Sequence, residues 1–194
     1  MDLHANVTEY FHEVVTSALR ETEVRATAST EFYLVNLLTE FTAAPVGDEP
    51  LALKLARVQE TAAPEGKAQG LKEIGDESLV VTGLFSDSLQ RKLVAPDYYI
   101  SMGASAYRQL ASLVSATRTS AASFFSSVYE ELAAKFGRFV AVLQEIRRHT
   151  NLHGGGPNLL RMYEAYVRSG GAWLESRLRA AGLILPVGLT GAAN

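Results

Sequence analysis

An all-α, single-domain helical bundle is the fold class this sequence predicts, and three observations predict it. Apolar residues recur at helical steps of three and four along most of the chain. No stretch sustains the alternating polarity of a half-buried strand. The composition, 47% hydrophobic and 20% charged over 194 residues, is that of one globular domain of ordinary size. The expected organisation is about seven helices within residues 1–185, with a long central helix near 120–150 and a flexible C-terminal tail over 186–194.

The elements follow in chain order. Between Leu3 and Arg20, the residues Val7, Phe11, Val14, Val15 and Ala18 make one apolar stripe, with Glu9, Glu13 and Arg20 off it. Thr27, Ser29 and Thr30 then offer N-caps to a second helix. That helix carries Phe32, Val35, Leu38 and Phe41, and its Leu34 and Leu37 widen the apolar face into one suited to a central position. Pro45, Gly47 and Asp48 break the chain. Pro50 suits the first turn of a third helix with Leu51, Leu55 and Val58. Residues Thr61–Gly66 read as a loop, followed by a helix from Lys67 to Phe85 through Leu71, Ile74, Val81 and Leu84.

Gly70, Gly75 and Gly83 in that helix each cost up to about 1 kcal/mol against alanine, so their density marks close packing or helix ends. After Pro96 a further helix runs from about Asp97 to Leu113, and its small-residue centre, Gly103–Ala106, admits a close neighbour. From Ser120 to about Thr150, Tyr129, Leu132, Phe136, Phe139, Leu143 and Ile146 alternate steps of three and four. That is a coiled-coil-like seam, which asks for a long straight partner in the same chain or in a second copy. Gly154–Gly156 and Pro157 end this helix and start the last one, whose stripe is Leu160, Tyr163 and Val167. A kink is expected at Gly170-Gly171, and Trp173, Leu174 and Leu178 continue the apolar face to Gly182, a C′ residue.

Composition also excludes. A formal charge of −3 does not suit a general nucleic-acid or anionic-membrane binder, which clusters Lys and Arg. With no cysteine, disulfides, thiolate catalysis and cysteine-based zinc sites are impossible. The first residues lack the basic and apolar regions of a signal peptide, and no run approaches the roughly 18 apolar residues of a membrane span. A cytoplasmic location is the expectation, with no nucleic-acid partner and no membrane span.

Several patterns touch on chemistry. Glu9-x-x-His12 has the spacing that di-iron bundles use, but those sites need two such motifs and two further glutamates. Glu31, Glu40, Glu130 and Glu131 could add carboxylates, yet no second histidine has the spacing, and a solvated pair is the simpler reading. Glu145, His149 and His153 fall at steps of four, but the helix ends among them, and cations there suit the helix dipole without a metal. The triple glycine with Arg161 lacks the lysine and preceding strand of a phosphate loop. The serines of 112–127 lack a nucleophile elbow and read as capping residues. Arg161, Arg168, Arg177 and Arg179 share their segment with Glu164 and Glu175, the pattern of a salt-bridged solvent face. Tyr98, Tyr99, Met102 and Tyr107 form an aromatic cluster that could line an apolar pocket or simply be core.

Three stretches, Thr30–Leu38, the Gly83–Leu89 turn leading to Asp97-Tyr98-Tyr99 and Tyr107, and Arg161-Met162-Tyr163, carry a resemblance. Together they resemble an uncharacterised all-helical family of proteobacterial cytoplasmic proteins. The resemblance implies one domain in a bacterial cytoplasm and carries over nothing about activity, cofactor or catalytic residues.

The functional expectation is a non-enzymatic protein working through protein–protein contact or self-association, as a regulator, adaptor or assembly factor, with 129–146 as its seam. No catalytic residue and no cofactor is predicted. Two alternatives stand beside it: a helical metal- or haem-binding protein using His12 and neighbouring carboxylates, and a small-ligand sensor near Tyr98, Tyr99 and Tyr107.

Overall fold

A computed structural model describes residues 3–43, 49–85, 95–117 and 119–149, and these are all-helical. The elements are α1 (Leu3–Glu21), α2 (Ala28–Ala43), α3 (Leu51–Glu60), α4 (Pro64–Leu84), α5 (Pro96–Ser115), α6 (Ser120–Ala134) and α7 (Phe136–His149). The expectations for the triple glycine, the last helix with its Gly170-Gly171 kink, and the tail fall outside the described residues.

Local chemistry sets the helix ends. α1 stops in a Schellman motif: Val24 N–H reaches the Leu19 carbonyl at 3.0 Å and Glu23 N–H reaches that of Arg20 at 3.2 Å. Leu19 and Val24 bury together beneath it, while Glu23 holds the left-handed conformation at φ 55°. Thr27 caps α2, its Oγ1 accepting from Thr30 N–H at 3.3 Å. α4 starts at Pro64, its first helical residue, three residues earlier than the polarity of the Thr61–Gly66 stretch suggested. Thr119 caps α6 by accepting from Ala122 N–H at 3.1 Å.

The stripe of α1 buries Phe11, Val15 and Ala18, and α2 buries Leu34, Val35, Leu37 and Leu38. Phe32, placed on that stripe by spacing, instead stands 61% exposed. It lies well round the helix from the Leu34–Leu38 axis, and the wide apolar face hid which residue was at its edge.

The expected long helix over 120–150 is divided at Lys135, whose φ of −112° and ψ of 19° leave the helical region. Lys135 ends α6 and its carbonyl opens α7, accepting from Arg138 and Phe139 N–H at 2.8 and 3.0 Å. The six seam residues turn a corner there and are all buried within this one chain. α6 packs along α5 and α2, whereas α7 packs on α4 and α1, so no single straight partner is needed. The centre is α4, in contact with α3, α5 and α7.

Glycines let α4 come this close. A Cβ on Gly75 would stand 2.5 Å from the Tyr107 ring, and one on Gly83 would stand 2.4 Å from Leu143 Cβ. In α5, Gly103 leaves space for the Phe136 ring and for Ser78 of α4. These are the close approaches that the glycine density and the small-residue patch implied. Ser78 Oγ is buried at this crossing and makes no hydrogen bond. No described helix is long and apolar enough to cross a membrane.

Candidate functional site

The backbones of α2 and α4 barely approach one another, and polar side chains bridge them. Asp76 of α4 is the hub. Its Oδ1 accepts from the Tyr33 hydroxyl of α2 at 2.5 Å and from the Tyr107 hydroxyl of α5 at 2.6 Å. Its Oδ2 accepts from Lys72 Nζ, one helical turn back, at 2.7 Å. The Lys72 ammonium also stands 5.6 Å from the centre of the Tyr33 ring and 3.9 Å from the Glu40 carboxylate. Tyr129 of α6 completes the cluster, stacked on Tyr107 at 6.1 Å and meeting Tyr33 edge-on at 5.7 Å.

Electrostatics fixes the protonation of this cluster. Burial first, and then the Asp76 carboxylate, push the Tyr33 and Tyr107 phenols well above the usual tyrosine value. Tyr129 is raised as well, chiefly by burial. For Lys72 burial acts to lower the value, but Asp76 and Glu40 outweigh it and raise it. At neutral pH the three phenols therefore keep their protons and Lys72 stays an ammonium. None of these four is a base or a nucleophile in that state. The cluster has the chemistry of a polar lock between α2, α4, α5 and α6.

A second polar contact ties α6 to the start of α2. The Glu131 carboxylate accepts from Thr27 Oγ1 at 2.7 Å and Thr27 N–H at 3.1 Å, and pairs with Lys135 at 2.7 Å. Lys135 also donates to the Arg25 carbonyl at 2.8 Å. Burial would raise Glu131, but Lys135, Thr30 and Thr27 overcome it and bring the carboxyl down to about 2.

The sequence candidates fall elsewhere. Glu9 and His12 both stand exposed on α1, and no group of three or more metal-ligating side chains occurs among the described residues. Of the aromatic cluster, Tyr107 is fully buried with its hydroxyl on Asp76, while Tyr98 is exposed and Tyr99 and Met102 are half-buried. The four do not converge on one pocket. His153 and Arg161 lie outside the described residues. The Asp76 hub was missed, although Lys72 and Asp76 at a spacing of four and the adjacent Gly75 were signals of a side chain packed closely there.

The remaining distinctive feature is on the surface. Phe124 and Phe125 of α6 stand 50% and 46% exposed, their rings edge to face at 5.4 Å. Phe125 stacks on Tyr129 at 6.5 Å, so this aromatic pair is anchored to the polar cluster. No known protein family, characterised protein or solved structure matches the chain.

Proposed function

We propose that this chain works through protein–protein contact, as a regulator, adaptor or assembly factor, and that the α6 surface bearing Phe124 and Phe125 is its contact face. The observation that carries this reading is the exposure of two adjacent phenylalanines on a helix whose inward face is fully used. Large aromatic side chains are the anchors of protein interfaces, and two half-exposed rings side by side gain more from a partner than from water. The seam of Tyr129, Leu132, Phe136, Phe139, Leu143 and Ile146 supports the fold, so the contact role passes to the exposed aromatic pair near the start of α6. The polar cluster supports the same reading, because its phenols and lysine are held in unreactive protonation states. The resemblance to proteobacterial cytoplasmic proteins supports a bacterial cytoplasm as the proposed setting.

Native mass spectrometry of the protein purified from its own host tests the proposal. The expected result is a discrete assembly of more than one polypeptide, lost when Phe124 and Phe125 are both replaced by serine. A bare monomer in the host extract overturns it. A mass increment matching iron, zinc or haem would transfer the reading to cofactor binding.

A further inference from the structure

We infer that α3 is a detachable strap: it lifts off α4 as a unit, clearing the row of Gly66, Gly70 and Glu77 beneath it, while the rest of the bundle stays folded.

The fold holds α3 from one side. Among the described residues, α4 is the one helix it packs against substantially, whereas every other helix is held by at least two. The link over 61–63 turns α3 back along α4, so that Thr61 meets Gly66, Val58 meets Gly70 and Lys54 pairs with Glu77. Of its ten residues only Leu51 and Val58 are buried, and Leu51 lies outside the continuous core. Its first turn has no side-chain cap. A helix of ten residues is marginal in water by itself, so α3 persists only while α4 supports it. An element with few buried apolar contacts opens at a small fraction of the cost of global unfolding.

Both of its main catches are easily released. At the first, Val58 occupies the space that a side chain on Gly70 would take, since a Cβ there would lie 2.2 Å from Val58 Cγ2. One valine thus rests on bare backbone. The similar notches at Gly75 and Gly83 receive Tyr107 and Leu143, which are fully buried in the core. The second catch is the Lys54–Glu77 ion pair, drawn largely out of water on both sides. Burial raises the Glu77 carboxyl, and Lys54 opposes the rise without cancelling it. The pair therefore returns little of the desolvation it costs, and opening gives both charges back to water.

Native-state hydrogen exchange of the full chain, read residue by residue, is the test. The amides of Leu55–Glu60 should exchange at least about 100-fold faster than those of Leu79–Gly83 in α4. Gly70→Ala drives a methyl into Val58, whose β-branched side chain cannot turn away. It should lower α3 protection at least about tenfold further, while the α4 amides keep theirs because alanine favours helix over glycine. With Val58→Ala in place there is room for that methyl, and adding Gly70→Ala should leave α3 protection unchanged. A covalent lock tests the converse. A Cβ on Gly70 would lie 3.5 Å from Val58 Cβ, within disulfide range, and the chain has no cysteine of its own. Oxidised protein carrying Val58→Cys and Gly70→Cys should protect α3 as well as α4, and reduction should release it.

Exchange of α3 at the rate of the α4 core overturns the inference, as does a Gly70→Ala loss shared equally by α3 and α4. So does a lock that fails to form, or one that forms without slowing exchange in α3.

Discussion

Replacing Asp76 by alanine tests the polar hub directly. The change leaves the hydroxyl of the fully buried Tyr107 without its acceptor, which costs about 2 kcal/mol, and orphans the part-buried Tyr33 hydroxyl for about 1 kcal/mol. Loss of the Lys72 contact adds less than about 1 kcal/mol, because that ammonium is partly exposed and keeps Glu40 nearby. Removing a desolvated carboxylate returns part of this sum, leaving a net loss of about 3 kcal/mol. In a background already carrying Tyr33→Phe and Tyr107→Phe, no hydroxyl remains to be orphaned, and the same replacement should cost only about 1 kcal/mol. Urea unfolding of the four proteins, followed by circular dichroism, closes the cycle and should give a coupling of about 2 kcal/mol at an unchanged m-value. A cost for Asp76→Ala that agrees within about 0.5 kcal/mol in the two backgrounds would refute the assignment of the hydroxyls as its partners.

Four further outcomes are expected. Gly75→Ala should destabilise by about 1–3 kcal/mol, since its methyl meets the pinned Tyr107 ring, whereas Gly137→Ala, with nothing within 4 Å, should stabilise by about 0.5 kcal/mol; thermal melts that move in the same direction for both would contradict the packing. The Glu131 carboxyl lies at about 2 in the folded chain against 4.5 unfolded, so its contribution is complete above pH 4.5 and is lost as pH falls toward 2; screening at this part-exposed site reduces it to about 1–2 kcal/mol, and Glu131→Gln should flatten the acid limb of a stability-versus-pH curve by that amount. Glu23→Gly should raise the urea midpoint by relieving a left-handed φ, a net gain of about 0.5–1 kcal/mol, and a loss would mean that α1 does not end in the Schellman motif. Ser78→Ala should be neutral or stabilising by up to about 1 kcal/mol, because its buried hydroxyl has no hydrogen bond to lose; a clear destabilisation measured by the same denaturation assay would reveal a hidden partner.

Periodicity made the helices legible, because burial repeats with the helical turn, and it placed Phe11, Val15, Ala18, Leu34, Leu38, Leu71 and Ile74 on apolar faces that are buried, whereas the spacing of the 129–146 seam fits an internal partner and a second copy equally. It could not show that the seam bends at Lys135, since a one-residue break leaves the spacing of three and four intact on both sides. Proximity in sequence misled at Tyr98 and Tyr107: nine residues are about 2.5 helical turns, which puts the two on opposite faces. The hub was illegible for a related reason. Tyr33 and Tyr107 are 43 and 31 residues from Asp76, and only the packing of three helices brings them together. Lys72, at a spacing of four, was the one partner a sequence could offer. The division between self-association and internal packing was hidden in the same way, because a buried seam and an intermolecular seam share one apolar spacing.

Both polar contacts act on α2, and its composition explains why. With Leu34, Val35, Leu37 and Leu38 all buried, its apolar face is broad, and a broad apolar face specifies rotation and axial register poorly. Dispersion and hydrophobic burial are nearly indifferent to a small slide, whereas a hydroxyl that must reach one carboxylate is not. Glu131 fixes the first turn of α2 through Thr27, and Asp76 fixes the next through Tyr33. Two such points determine the placement of a rigid helix along its axis and about it. Asp76, Tyr33 and Tyr107 are therefore engaged in specifying the fold, the two hydroxyls reaching the carboxylate from other helices. On the outside of the bundle, among the described residues, α6 presents two adjacent phenylalanines, Phe124 and Phe125, that these contacts leave exposed.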